Sequence, residues 1–165
     1  MTDRAIFNRR YSSFTPASTQ VWLVNGAGVT TSASTVSSFT AGESLTQGTP
    51  VYVSGTYVLA ASAASSVDPS SYNVIGFTAE AASVSASVDV VLDDIAIISS
   101  GNLIHETSLT PGRYYFLSNI TGKITNNLAP SGITVSGGYS ASAPLGLALS
   151  ASELDIEISS PVTLT

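Results

Sequence analysis

The chain has 165 residues, only 10% of them charged, no cysteine and a net charge of −6. Without cysteine there is neither a disulfide scaffold nor a thiolate metal site, and no apolar run approaches the ~18 residues that a bilayer-spanning helix needs. Charge is uneven: Arg4, Arg9 and Arg10 sit with one acid, Asp3, in the first ten positions, while residues 11–165 hold two basic and ten acidic groups. Phosphate binding requires a basic face, so nucleic acid is not an expected partner of the body, and no membrane is expected either.

Ser and Thr supply 47 positions, so hydroxyls rather than charges solvate the surface. Sparse charge lowers the repulsion between copies packed side by side, which suits a chain working inside an assembly. Residues 1–20 read as a basic arm, with Arg4, Arg9 and Arg10 interleaved with Ile6, Phe7, Tyr11 and Phe14. They are polar at the start, and no apolar segment of the secretion-signal kind follows. Val21–Val24 is a short apolar strand closed by the turn dipeptide Asn25-Gly26. Thr30 to Ser38 reads as a Ser/Thr-rich linker, so that 1–38 forms an arm, an added strand and a linker ahead of a domain over 39–165.

Within that domain, Pro50–Val53 and Tyr57–Leu59 flank Ser54-Gly55 as a hairpin, and Val74–Phe77 is a further strand. From Val88 to Asp93 the residues alternate, Val88, Val90 and Leu92 against Asp89, Val91 and Asp93. Such a period places one face on a core and the other in water. Leu154, Ile156 and Ile158 oppose Asp155 and Glu157 in the same way. Ala60–Ser66 and Ala79–Val84 hold at most a short helix.

A repeat organises these elements. Ser44-Leu45-Thr46-Gln47-Gly48 with Val51–Ser54 recurs as Ser108-Leu109-Thr110-Pro111-Gly112 with Tyr115–Ser118, five of eleven positions being identical at an offset of 64. Ile75-Gly76-Phe77 is echoed by Leu145-Gly146-Leu147, and Val88–Leu92 by Leu154–Ile158. Gly48 and Gly112 are expected to supply a positive φ, and Gly76 and Gly146 a bulge or a close backbone approach. The predicted fold is all-β: a compact antiparallel barrel or sandwich of two similar units, about 39–103 and 104–165, with an extended N-terminal arm.

No catalytic set emerges, so the chain is not expected to be an enzyme, and neither cofactor nor metal is expected. His105 reads as a turn residue before the second unit. Asp89, Asp93 and Asp94 read as solvated strand acids rather than calcium ligands. The strand Arg113-Tyr114-Tyr115-Phe116-Leu117 is bulky on both faces. One face belongs to the core, and the other, either Tyr114 with Phe116 or Tyr115 with Leu117, makes Arg113, Tyr114, Tyr115 and Phe116 candidates for a subunit interface.

The segments Ala41–Ala60, Val74–Leu92, Leu109–Thr125 and Pro144–Ile158, with their "SLTxG", "VYVSGTYV", "VIGF", "LTPGRYYFLS" and "PLGLALS" runs, resemble small β-barrel decoration (cement) proteins of bacteriophage capsids. They are also similar to the related β-modules of phage head and tail fibres. The resemblance implies a virion protein on the outer capsid surface, bound as a homotrimer to the major capsid protein and bridging its subunits against internal pressure. The arm residues Arg4, Ile6, Phe7, Arg9, Arg10, Tyr11 and Phe14 would then contact the capsid or an adjacent subunit. A fibre or receptor-binding module for a host-surface glycan is the alternative, with Tyr139, Asn126 and Asn127 as loop candidates.

Overall fold

The computed structural model describes residues 35–64, 68–126 and 141–163, and the backbone of two short strands ahead of them. The strands are β1 (Trp22–Val24), β2 (Thr30–Ser32), β3 (Thr35–Ala41), β4 (Pro50–Ser54), β5 (Tyr57–Ala60), β6 (Gly76–Thr78), β7 (Ser87–Ile97), β8 (Tyr114–Leu117), β9 (Ile124–Thr125), β10 (Ala141–Ser142), β11 (Pro144–Ala148), β12 (Glu153–Ile156) and β13 (Val162–Thr163). Helix among the described residues is confined to short 3₁₀ turns at Pro69–Tyr72 and Ser100–Asn102. The all-β expectation holds. β1 pairs with β2, β10 with β13, and the remaining strands form one sheet ordered β3-β5-β4-β6-β7-β12-β11-β8-β9. All its pairings are antiparallel except β3 with β5, which run parallel at Thr40–Tyr57 and Ala41–Val58, so the sheet is mixed and not purely antiparallel as expected.

The first unit closes on itself. β3 pairs with β5, β5 with β4, β4 with β6, β6 with β7, and β7 again with β3 along Thr35–Thr40. The second unit repeats the circuit with β9-β8-β11-β12, closed by the second half of β7 through Leu154↔Ala96 and by a parallel bridge between Leu103 and Ile124. β7 therefore serves both units. Its first half is the last strand of the first circuit and its second half the first strand of the next. The changeover is marked by a register shift near Asp93 and by Asp94 at φ 74, a bulge geometry that bends a strand. The units thus change over inside β7 rather than at residues 103 and 104.

Hydrogen bonds repeat with the sequence. The Leu45 amide donates to Ala82 and that of Leu109 to Ala151, each at 2.8 Å; Gly48 donates to Thr78 and Gly112 to Ala148, again at 2.8 Å. Ala41 donates to Ala86 at 2.9 Å and Ile98 to Ser152 at 2.8 Å, whereas Gly42 donates to Val58 at 2.9 Å and Ile104 to Ile124 at 3.1 Å. Ile98 and Leu103 thus share the place that Ala41 fills alone, and 99–102 is an insertion at that point. Gly48 and Gly112 hold φ of 77 and 78, as the turn requires. A Cβ on Gly76 would lie 2.2 Å from the Val91 carbonyl oxygen, and one on Gly146 2.0 Å from that of Asp155. Both glycines let neighbouring backbones approach.

The cores match as well. Ala41, Leu45, Val51, Val58, Val88 and Val90 fill the first circuit, and Ile98 with Leu103, Leu109, Tyr115, Ile124, Leu154 and Ile156 take the same places in the second. The second core extends to the outer side of the first unit, taking in Phe77, Val91, Val74, Ala61 and Ala63. Val91, expected to face water, is consequently buried, and β7 is covered on both faces there. The stretch Thr35–Ser38, read as linker, is the first half of β3. Ala60–Ser66 and Ala79–Val84 form no helix among their described residues: Ala61–Ala63 are buried and lie outside any helix or strand, and Ala82 bridges to Leu45.

Candidate interaction surface

β8 settles which of its faces is inside. Tyr115 and Leu117 are fully buried, while Tyr114 is 50% exposed and Phe116 half-buried. The Tyr115 hydroxyl donates to Glu106 Oε2 at 2.6 Å and accepts from the Thr110 amide at 2.9 Å; burial, then the Glu106 bond, raises its pKa. Tyr115 therefore belongs to the core and leaves the proposed interface set, of which Arg113, Tyr114 and Phe116 keep surface.

Register carries this outer face across the sheet. Tyr114 stands opposite Leu147, Leu147 opposite Asp155, and Asp155 opposite Ile95. Directly opposed residues share a face, so one row holds an aromatic, an aliphatic, a carboxylate and an aliphatic side chain. Two residues on, the row repeats with Glu153 opposite Ile97, which is 45% exposed. The Leu149 amide donates to the Glu153 carbonyl at 2.9 Å, and Leu149 is 47% exposed. The Tyr114 hydroxyl donates to Glu157 Oε2 at 3.1 Å, and this bond raises the phenol's pKa. Asp155 has a raised pKa, chiefly from desolvation and then from Glu157, Asp94 and Asp93. The face is thus apolar, with an acidic ridge along β12. Large exposed apolar side chains gathered on one face of a sheet mark a binding surface more often than chance exposure.

The matching face of the first unit differs in one respect. Pro50 and Phe77, in the places of Tyr114 and Leu147, are fully buried, and Val91, in the place of Asp155, is nearly so. Phe77 and Val91 lie in the same cluster as the second unit's core. What is packed in the first unit is open in the second.

Between the units lies a cleft of about 560 Å³, bounded by Glu43, Thr46, Ala60, Asn102, Gly122 and Lys123. Its polar floor is already engaged. Asn102 Nδ2 donates to Thr49 Oγ1 at 2.9 Å and to the Gly122 carbonyl at 3.2 Å, its Oδ1 accepts from Thr46 Oγ1 at 3.4 Å, and Glu43 Oε1 accepts from the Ala60 amide at 2.7 Å. Lys123 Nζ donates to the Gly101 carbonyl. This cleft is a seam that fastens the first unit to the second through the inserted residues 99–102.

The other sequence candidates fall as follows. Arg4, Ile6, Phe7, Arg9, Arg10, Tyr11 and Phe14 lie outside the described residues, as do Asn127 and Tyr139. Asn126 is half-buried, and its Nδ2 donates to Glu106 Oε1 at 2.6 Å, so it braces the Tyr115 network. His105 is an exposed turn residue at φ 62. Asp89 Oδ1 accepts from Ser38 Oγ, and Asp93 Oδ1 from the Asp94 amide at 2.9 Å. Sequence reasoning missed Leu147, Leu149, Ile95 and Ile97 as surface residues, because the opposing Asp155 and Glu153 were the visible signal and their apolar neighbours belong to other strands. No protein-family model and no curated protein sequence matches the chain.

Proposed function

We propose that this chain is a structural virion protein that binds the outer surface of an assembled phage capsid and cements neighbouring major capsid subunits against internal pressure. The observation that carries the reading is the outer face of β7, β12, β11 and β8: exposed Tyr114, Ile97 and Leu149 on a sheet whose glycine contacts and closed circuits hold it rigid. A rigid surface loses little conformational entropy on binding. The resemblance of Ala41–Ala60, Val74–Leu92, Leu109–Thr125 and Pro144–Ile158 to decoration proteins supports it further, since these segments supply most strands of both circuits, β3 and the second half of β7 excepted.

The mechanism is mass action. A partner that binds only the assembled lattice stabilises that lattice in proportion to its free concentration over its dissociation constant. No bond is made or broken, and the work is done by burying apolar surface that includes the aromatic anchor Tyr114 on β8. The resemblance further implies a homotrimer bridging several capsid subunits. Purified chain added to assembled capsids should co-sediment with them saturably and raise the temperature at which they rupture. Chain left in the supernatant, with retention on a host-glycan array instead, would replace this reading with the fibre-module alternative.

A further inference from the structure

The second unit repeats the first, yet their outer faces are used differently. On the first unit this face meets the core of the unit that follows it, through Phe77 and Val91. That contact is head-to-tail: the outer face of one unit meets another part of the next. Head-to-tail contacts do not saturate themselves, and the last unit of a series keeps the same face open. On the second unit the open face carries Tyr114, Leu147, Leu149 and Ile97 beside Glu153, Asp155 and Glu157.

We infer that this acidic and apolar face of β7, β12, β11 and β8 is the docking surface for a second copy of the chain, which presents its residues 1–14 to it. The chain's cations are Arg4, Arg9, Arg10, Arg113 and Lys123, and Lys123 is held in the seam. The three in residues 1–14 alternate with Ile6, Phe7, Tyr11 and Phe14, so the segment matches the face in both charge and apolar character. Opposed charge sets orientation and speeds encounter, while aromatic anchors supply most of the affinity. Asp155 is crowded by Glu157, Asp94 and Asp93, and a guanidinium among them would relieve that repulsion. The head-to-tail relation of the two units within the chain favours a following copy as the source. The inference takes the same face as the capsid reading: a face filled by a second copy is closed to the capsid, so its success moves the capsid contact to another surface, whereas its failure in solution leaves the capsid reading standing.

The test uses the full chain in sedimentation velocity over a concentration series. Wild type should associate, and more weakly as salt rises. Arg9→Glu/Arg10→Glu and Glu153→Lys/Asp155→Lys chains, each shown to be folded by circular dichroism, should each associate roughly tenfold more weakly or worse. Mixed, they should associate again, because each reversed segment meets a reversed face. A wild type that stays monomeric, variants that associate like it, or a mixture that restores nothing would each overturn the proposal. A second measurement needs no charge reversal. The natural chain has no cysteine, so a Phe7→Cys chain oxidised with an Ile97→Cys chain should give the mixed disulfide dimer. A Phe7→Cys/Ile97→Cys chain that closes only on itself would assign the face to the chain's own N-terminus and overturn the second-copy inference.

Discussion

Replacing Gly146 by alanine tests the packing of the second unit at its tightest point. The new Cβ would stand 2.0 Å from the Asp155 carbonyl oxygen and 3.0 Å from its carbon, against an ordinary contact of 3.4–4 Å. Both atoms are backbone, so no side chain can swing aside, and β11 and β12 must part by more than an ångström. That separation strains the pairs Gly146↔Ile156 and Leu147↔Asp155. Overpacking costs about 1–3 kcal/mol, and each weakened sheet hydrogen bond about 1 kcal/mol more. The expected loss is therefore about 3 kcal/mol or more, a large part of the ~5–15 kcal/mol that holds a domain together. Gly76→Ala, with 2.2 Å to the Val91 oxygen, should cost a similar amount because it occupies the matching place. Gly112→Ala is the control: its φ is 78 and nothing lies within 4 Å, so only the left-handed backbone penalty of about 1–2 kcal/mol applies. Urea denaturation followed by far-ultraviolet circular dichroism measures all three. A Gly146→Ala chain no less stable than Gly112→Ala would refute both the close approach and the equivalence of the units.

Tyr115→Phe removes the hydroxyl that joins Glu106 and the Thr110 amide, and should lower stability by about 1–3 kcal/mol in calorimetry; an unchanged melting point would show the network to be idle. Asn102→Ala takes the Nδ2 donor from Thr49 Oγ1 and the Gly122 carbonyl in the seam; a loss of about 1–3 kcal/mol is expected, and a loss of zero would show that the seam does not fasten the units. Asp155 has its pKa raised in the native state, so its carboxyl takes up a proton more readily folded than unfolded. Its contribution to stability is thus fully present below the ordinary carboxyl pKa and is lost as pH rises through the elevated native value. At neutral pH the ionised group opposes folding, and Asp155→Asn should raise the urea midpoint at pH 7 by an amount that solvent screening limits to a few tenths of a kcal/mol. The gain should vanish once pH falls below the ordinary carboxyl range. A lower midpoint at pH 7 would contradict the crowding of acids on this face.

Much of the fold was legible because the repeat left chemical marks that chance does not produce twice. The two turns of the form Ser-Leu-Thr-x-Gly gave a glycine at positive φ after a buried leucine in each unit, and Gly76 and Gly146 announced a close backbone approach. β12 read correctly because Leu154 and Ile156 alternate with acids. β3 did not read, since Thr35, Ser37, Ser38 and Thr40 carry little hydrophobic contrast, and its placement comes from long-range pairing with β7. The sharing of β7 was hidden for a related reason. A single strand that ends one circuit and begins another shows no break in the sequence except Asp94, whose left-handed backbone is not signalled by its side chain. The choice between Tyr114 and Tyr115 depended on which face of β8 meets the core, and both residues suit either side. The apolar part of the candidate surface was out of reach because Tyr114, Leu147 and Ile97 come together only through the register of strands far apart in the chain.

The proposed placement of this chain on a phage capsid is tested most directly by a three-dimensional electron-microscopy reconstruction of purified particles. Density for both circuits is expected on the outer shell, repeating with the capsid lattice. Density confined to the tail or to fibres, with a bare shell, would contradict it.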